Sequence, residues 1–294
     1  MRVLVAGASG LIGTELVRRL ALAGHTVTKL TRSEARAPDE HTWEPAAGLL
    51  DPQLVEESDA VIDLAGASIS RIPWTLGWKH EILDSRLAAT RTLTHAIATA
   101  SSPPAVLLNA SAVGFYGDRP GEVLTEESPR GSGYLSDVVV EWEAAAAEAA
   151  DATRVVTLRT GLVVGRGGAF APLEALTRAG LAATLGNGRQ YWPWIALEDE
   201  AAAIVHLLHA DVAGPVNLEG PVPATSGHVT RTLAAALHRW HPWRIPGPAI
   251  GITLGQAGRE LLLADQRAVP SRLLESGFRF RFETVDDVIA SVWS

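Results

Sequence analysis

An α/β fold, a parallel sheet covered by helices with a smaller and mostly helical C-terminal part, is what this sequence predicts. Three observations carry that expectation. Short apolar runs without internal alternation recur through the first half of the chain, the pattern of strands buried on both faces. Segments with helical periodicity separate them, and such alternation argues for parallel crossover units. A glycine-rich turn, Gly7–Gly13, joins the first strand-like run to the first helix-like one.

Arg2–Ala6 reads as a short buried strand. Leu11–Ala23 places Leu11, Ile12, Leu16, Val17 and Leu20 on one helical face, with Gly24 where a helix stop belongs. His25–Leu30 is rich in β-formers, with Val27 between threonines, and Ala60–Leu64 is a third clear apolar run. Ile82–Ala100 reads as a long helix ended by Ser101-Ser102-Pro103-Pro104, and Ala105–Asn109 and Arg154–Leu158 as further buried strands.

Past residue 165 the character changes. Gly165–Gly168, Gly186–Arg189 and Trp192–Trp194 read as loops, and Glu198–His209 and Ser226–His238 as helices. A Pro/Trp-rich patch, His241–Pro248, precedes a helix at Ser271–Ser276, a short strand at Phe278–Phe282 and a closing helix from Thr284. The expected division is therefore a dinucleotide-binding part, 1–165, and a substrate-side part, 166–294, packed intimately on it.

Composition narrows the function. The 294 residues are 47% hydrophobic and 20% charged, ordinary for a globular protein. There is no cysteine, which excludes disulfide scaffolds, thiolate metal sites and cysteine nucleophiles and fits a reducing cytoplasm. A net charge of −8 with no basic stripe argues against nucleic acid as a partner. No apolar run approaches a membrane span, and Val3–Ala6 is far too short for a signal peptide. The expected partner is a small-molecule substrate. The nine histidines form no convincing metal site.

The strongest motif is Gly7-Ala8-Ser9-Gly10-Leu11-Ile12-Gly13. Glycine is required where the chain turns with positive φ and where backbone must approach a pyrophosphate. The helix that follows presents free N–H groups and a partial positive charge to phosphate. In a strand–loop–helix setting this predicts a Rossmann-type dinucleotide site over Gly7, Ser9, Gly10, Leu11, Ile12 and Gly13. An NAD site usually carries an acidic residue at the end of the second strand. Here that place is Thr31-Arg32-Ser33. Arg32 cannot accept a bond from a ribose 2′-hydroxyl, but its guanidinium suits a 2′-phosphate, so NADP (NADPH) is favoured.

Several further segments make the chain recognisable: Asp63–Gly66, Ser85-Arg86, Ser111–Gly117, Trp142-Glu143, Leu158–Gly161, Gly186–Gln190, Trp194-Ile195 and Gly277–Phe280. With the glycine loop they resemble the extended and atypical short-chain dehydrogenase/reductases, and within them the YfcH-like sugar-nucleotide epimerases, some of which are described as SulA-like division inhibitors. The resemblance covers nearly the whole chain. It implies that Thr31 and Arg32 hold the adenosine ribose and its phosphate, and that Leu64, Ala65 and Gly66 line the adenine–ribose side. It also implies cofactor contacts for Glu81 and Arg86, and a place near the nicotinamide for Val163. Without it, Leu64, Ala65 and Val163 read as core and Arg86 as a helix-surface charge.

Most enzymes of that superfamily use a Tyr-x-x-x-Lys pair, in which the lysine lowers the pKa of the proton-exchanging tyrosine. This chain has three tyrosines, Tyr116, Tyr134 and Tyr191, followed four residues on by Pro120, Val138 and Ile195. None has its lysine, and the only lysines are Lys29 and Lys79. The catalytic candidates are Ser111, at the end of a strand, and Tyr134, which opens a helix. Lys79 reads as a solvated lysine at a helix start. Trp74, Trp78, Trp192 and Trp194 fall in loops expected to border the substrate cleft. Two functions follow: an NADP-dependent epimerase, dehydratase or reductase acting on a small polar, sugar-nucleotide-like substrate without the usual pair, or a cofactor-binding regulator that does little chemistry.

Overall fold

The computed structural model describes residues 1–293. The first half delivers β1 (Arg2–Ala6), α1 (Leu11–Leu22), β2 (Thr26–Thr31), β3 (Glu40–Thr42), α2 (Pro52–Glu56), β4 (Ala60–Asp63), α3 (Leu76–Thr99), β5 (Val106–Ala112), β6 (Val123–Leu124), α4 (Tyr134–Ala147) and β7 (Arg154–Thr160). Then come β8 (Leu162–Val164), α5 (Ala171–Arg178), β9 (Ala183–Leu185), β10 (Tyr191–Trp192), β11 (Trp194–Ala196), α6 (Leu197–His209) and β12 (Gly214–Leu218). The remainder holds β13 (Ala224–Thr225), α7 (Ser226–Ala236), β14 (Trp243–Ile245), α8 (Gly247–Thr253), α9 (Gly255–Gly258), a π-helical turn Arg259–Leu263, β15 (Arg267–Ala268), α10 (Ser271–Glu275) and α11 (Val285–Trp293).

Seven strands form one sheet in the order β12-β7-β5-β4-β1-β2-β3. Every pairing in it is parallel, for example Val5 against Lys29 and Ile62, and Ser111 against Arg159. Strand side chains alternate between faces. Val3 and Val5 pack with Leu16 and Leu20 of α1 and with Ile204 and Leu207 of α6, whereas Leu4 and Ala6 pack with Leu93 and Ile97 of α3. Both faces are thus covered, which is why the strands read as unbroken apolar runs. Residue 165 is not a boundary of this sheet, because β12 and α6 return from beyond it to pair with β7 and to cover α1's face. A second core, built on Phe170, Trp192, Trp194, Ile250, Ile289 and Trp293, gathers β10, β11, α8 and α11, whereas Leu273 of α10 and Phe278 pack on the main core.

Two expectations are corrected. Phe278–Phe282 is not a strand. The backbone N–H groups of Arg281 and Phe282 donate to the Asp199 carboxylate at 2.9 and 3.1 Å instead of to a neighbouring strand, and the Phe278 and Phe280 rings meet edge to face. Trp192 and Trp194 do not stand in loops at a cleft. They lie on β10 and β11, are 4% and 1% exposed, and fill the second core.

Candidate active site

The chain leaves β1 through Gly7, whose φ of +78° an L side chain rarely adopts. A Cβ on Gly13 would stand 2.2 Å from the Gly7 carbonyl oxygen, so loop and helix can touch only as glycines. Gly10 differs. It is the N-cap of α1 at an ordinary φ of −73°, and a Cβ there meets nothing closer than 3.4 Å. No side chain caps the first turn of α1, so its amide donors stay open to a ligand.

A cleft of about 1080 Å³ begins at this turn and runs past the ends of β1, β2 and β4. Gly7, Ser9, Gly10, Thr31, Arg32, Leu64, Ala65, Gly66 and Glu81, all expected from the sequence, line it. Arg32 is exposed and has no carboxylate within ion-pairing distance among the described residues. Thr31 Oγ1 lies 2.9 Å from Ser33 Oγ, which also lines the cleft.

Leu11 and Ile12 lie at the start of α1 with side chains packed on the core, and Gly13 is buried behind them. Their backbone amides are what they can offer a phosphate. Val163 sits on β8 opposite Ile195, 9% exposed and part of the main core. Reasoning from sequence missed Trp43, Pro45–Ala47, Asp84, Ser85 and Lys29, which also line the cleft. Lys29 is held by Asp39 at 3.0 Å and by Glu40.

Arg86 is not a surface charge. Its Nη1 donates to the carbonyls of Ala67 at 3.0 Å and Ile82 at 2.8 Å, and its guanidinium lies over the Trp142 ring. It passes so close to Gly66 that a Cβ there would come within 3.2 Å. Burial lowers its pKa to about 10, against the opposing pull of Tyr134 and Asp63. Asp63 closes β4, fully buried. Burial raises it to about 6, although the Ala65 N–H and the Thr90 hydroxyl both donate to it.

The two catalytic candidates stand in different surroundings. Ser111, at the end of β5, donates to Glu143 Oε1 at 2.6 Å. The same carboxylate takes two bonds of 2.8 Å from Arg159, whose Nη1 donates to Tyr116 Oη at 3.0 Å. Tyr116 in turn donates to Asn217 at 2.7 Å, and burial pushes its phenol to about 12. Ser111 is therefore one end of a buried polar chain. Tyr134 is half-buried at the first position of α4, and its hydroxyl donates to the Lys79 carbonyl at 2.6 Å. Burial raises its pKa to about 12; Arg86 opposes this, while Glu260 and Asp84 add to it.

Lys79 is not a solvated residue. Its Nζ lies 5.0 Å from the Tyr134 ring centroid and donates to Gln256 Oε1. The Trp74 ring meets the Tyr134 ring edge-on, with centroids 5.5 Å apart. Gln256 donates to Glu260, whose carboxylate accepts from the backbone N–H groups of Tyr134 at 3.1 Å and Leu135 at 2.8 Å. The N-cap of α4 is Gly133, which has no side chain to do this. The segment Gln256–Gln266 continues as a strap. Leu262 accepts from Gln190 and Trp192, and Gln266 donates to Val113 and Gly117. The signal for this was absent from local sequence, since the partners outside the segment lie 70 to 177 residues away along the chain.

No group of three or more His, Asp or Glu side chains suited to a metal occurs among the described residues, and no described helix is long and apolar enough to cross a membrane.

Known proteins share this arrangement. Residues 3–219 match the NAD dependent epimerase/dehydratase family, and residues 245–292 match a domain of unknown function, DUF1731. An epimerase family protein of Mycobacterium tuberculosis is 39% identical over 290 residues, 98% of this chain and 96% of its own length. The human epimerase family protein SDR39U1 is 35% identical over 96% of each chain. The crystal structure of human SDR39U1, isoform 2, with NADPH superposes with a TM-score of 0.91 at 35% identity, covering 99% of both chains. A nucleoside-diphosphate sugar epimerase of Corynebacterium glutamicum, of which the match covers 58%, gives a TM-score of 0.82 at 31% identity. A Thermus thermophilus UDP-glucose 4-epimerase, at 20% identity and a TM-score of 0.76, shares the fold. The chain belongs to the NAD-dependent epimerase/dehydratase family, in the SDR39U1/YfcH-like branch of atypical short-chain dehydrogenase/reductases that carries the DUF1731 C-terminus.

Proposed function

We propose that the chain binds NADPH along the cleft and carries out redox-linked chemistry on a small polar substrate. The observation that carries this reading is one continuous cleft with the open amides of α1 at one point and the unpaired Arg32 at another. The first suits a pyrophosphate and the second a 2′-phosphate. The related human protein crystallised with NADPH supports the choice of cofactor. Leu64, Ala65 and Gly66 then face the adenosine half, with Glu81 and Asp84 of α3 across the cleft. When bound, the cofactor supplies a hydride.

The chain's own residues hold and move protons. Tyr134 offers a phenol whose raised pKa makes it a proton donor at neutral pH and a poor base. Ser111 offers a hydroxyl fixed by Glu143. Epimerisation, dehydration or reduction of a sugar-nucleotide-like substrate is the reaction class we favour. A second reading, a cofactor-binding regulator with little turnover, is favoured by the lysine position itself, because Val138 stands there, buried in α4's core face.

Gly10→Leu separates binding from folding. A leucine there is free of backbone strain and projects into the cleft. NADPH binding should vanish while unfolding stays cooperative. Undiminished NADPH affinity in this variant would overturn the reading.

A further inference from the structure

One stretch of the chain stands apart in its charge. Residues 220–259 hold no aspartate or glutamate, in a chain that carries 33 of them and a net charge of −8. They do hold Arg231, Arg239, Arg244 and Arg259. None of these four has a carboxylate within ion-pairing distance among the described residues. None of them lines the cofactor cleft.

The same stretch presents apolar side chains to solvent. Trp240 is 87% exposed, Ile252 84% and Trp243 57%, and no residue from His238 to Ala249 is buried. The backbone beneath them is nonetheless fixed. β14 pairs with β9, with Trp243 opposite Ala183, and Leu181, two residues before Ala183, is exposed as well. The Gly186 N–H donates to the Ile245 carbonyl at 2.9 Å, and Arg244 Nε donates to the Gly186 carbonyl at 2.9 Å. Helix α8 follows at once. Its Ile250 enters the second core, while Ile252 is left in solvent. Arg259 Nη1 donates to the Gly251 carbonyl at 3.2 Å, which sets a guanidinium beside the backbone next to Ile252. Exposed indole and aliphatic groups therefore alternate with unpaired arginines along a segment whose backbone is held in place.

We propose that this face docks the protein peripherally on an anionic lipid surface. Charge complementarity selects that occupant. The chain as a whole is acidic and would be repelled by such a surface, so attraction must come from the one segment free of acid. Tryptophan rings settle at the headgroup level, and arginines bury their stems while the guanidinium stays among the phosphates. Trp240, Trp243 and Ile252 project outward, as apolar tips must to enter a headgroup layer. A second copy is disfavoured, because two-fold pairing of this face would bring its arginines against their own like charges.

The test is cosedimentation of the full chain with vesicles, of phosphatidylcholine alone or of equal parts phosphatidylcholine and phosphatidylglycerol. Wild type should partition at least about tenfold more strongly onto the anionic vesicles, and the preference should shrink as salt rises. An arginine near such a surface strengthens binding about fivefold, so Arg239→Gln should weaken it by about that factor. Trp240→Ala combined with Trp243→Ala should weaken it at least about tenfold. Should that pair not fold, Ile252→Ser is read the same way. A wild type without preference for the anionic vesicles, or undiminished binding by the folded tryptophan variant, would overturn the proposal. A wild-type dimer in sedimentation velocity that the tryptophan variant dissolves would assign the face to a second copy. Binding to soluble polyglutamate but not to vesicles would assign it to an acidic protein. Either result overturns the proposal as well. None of these readouts uses NADPH, so they stand or fall apart from the cofactor reading.

Discussion

Removing the Glu260 carboxylate should loosen the start of α4, the helix that carries Tyr134. Glu260 accepts from two backbone N–H groups at 2.8 and 3.1 Å, and Gly133 provides no alternative cap. Losing a side-chain N-cap typically costs about 0.5–2 kcal/mol. Glu260 makes two such bonds, which places Glu260→Ala toward the upper end of that range. Tyr134 and Leu135 are half-buried, so water can replace part of the loss. We expect about 1–2 kcal/mol, and Glu260→Gln, which keeps an acceptor, about half as much. For a chain of this size each kcal/mol lowers Tm by about 2–4 °C. Urea unfolding followed by circular dichroism reads the change in midpoint at constant slope. A Glu260→Ala midpoint equal to wild type would refute the claim that the C-terminal strap caps this helix.

Stability should fall as pH rises from about 5 to about 8. Burial raises Glu200 from 4.5 to about 8, Glu219 well above its ordinary value and Asp63 to about 6. The folded chain therefore keeps protons that the unfolded chain has shed. Their contribution is complete below the unfolded pKa and lost as pH climbs through the folded one, by at most about 1.4 kcal/mol per pH unit for each group. The urea midpoint should be higher at pH 5.5 than at pH 8.5, and Glu200→Gln should flatten the profile; a wild-type midpoint that rises over that interval, or an unchanged slope in Glu200→Gln, would contradict this. Replacing Arg32 by Ala should weaken NADPH about ten- to a hundredfold, the worth of one charge-assisted contact, and leave NADH nearly untouched, as read by equilibrium titration of both cofactors.

The central strands were legible because burial on both faces leaves an unmistakable apolar run, as in Val3–Ala6 and Ala60–Leu64. β3 was not. It is the outer strand, Glu40-His41-Thr42, and an edge position asks for no apolar run. Trp192 and Trp194 misled because isolated tryptophans beside Pro193 look like loop residues until the second core that buries them is known. The glycine loop and Arg32 could be read from local spacing alone. The surroundings of Arg86 and Lys79 could not, since their ring contacts arise only when α3 packs on α4. The Glu260 cap lies still further out of reach, its partners being 125 and 126 residues away along the chain.

The central claim, a cleft built for a cofactor with a 2′-phosphate, is tested most directly by titrating the purified wild-type protein with NADPH and with NADH under the same low-salt conditions. Arg32 lines that cleft exposed and without a carboxylate partner among the described residues. The account predicts saturable binding of both cofactors, with NADPH tighter by at least about tenfold and the preference shrinking as salt screens the exposed contact. Equal affinities, or tighter binding of NADH, would contradict it.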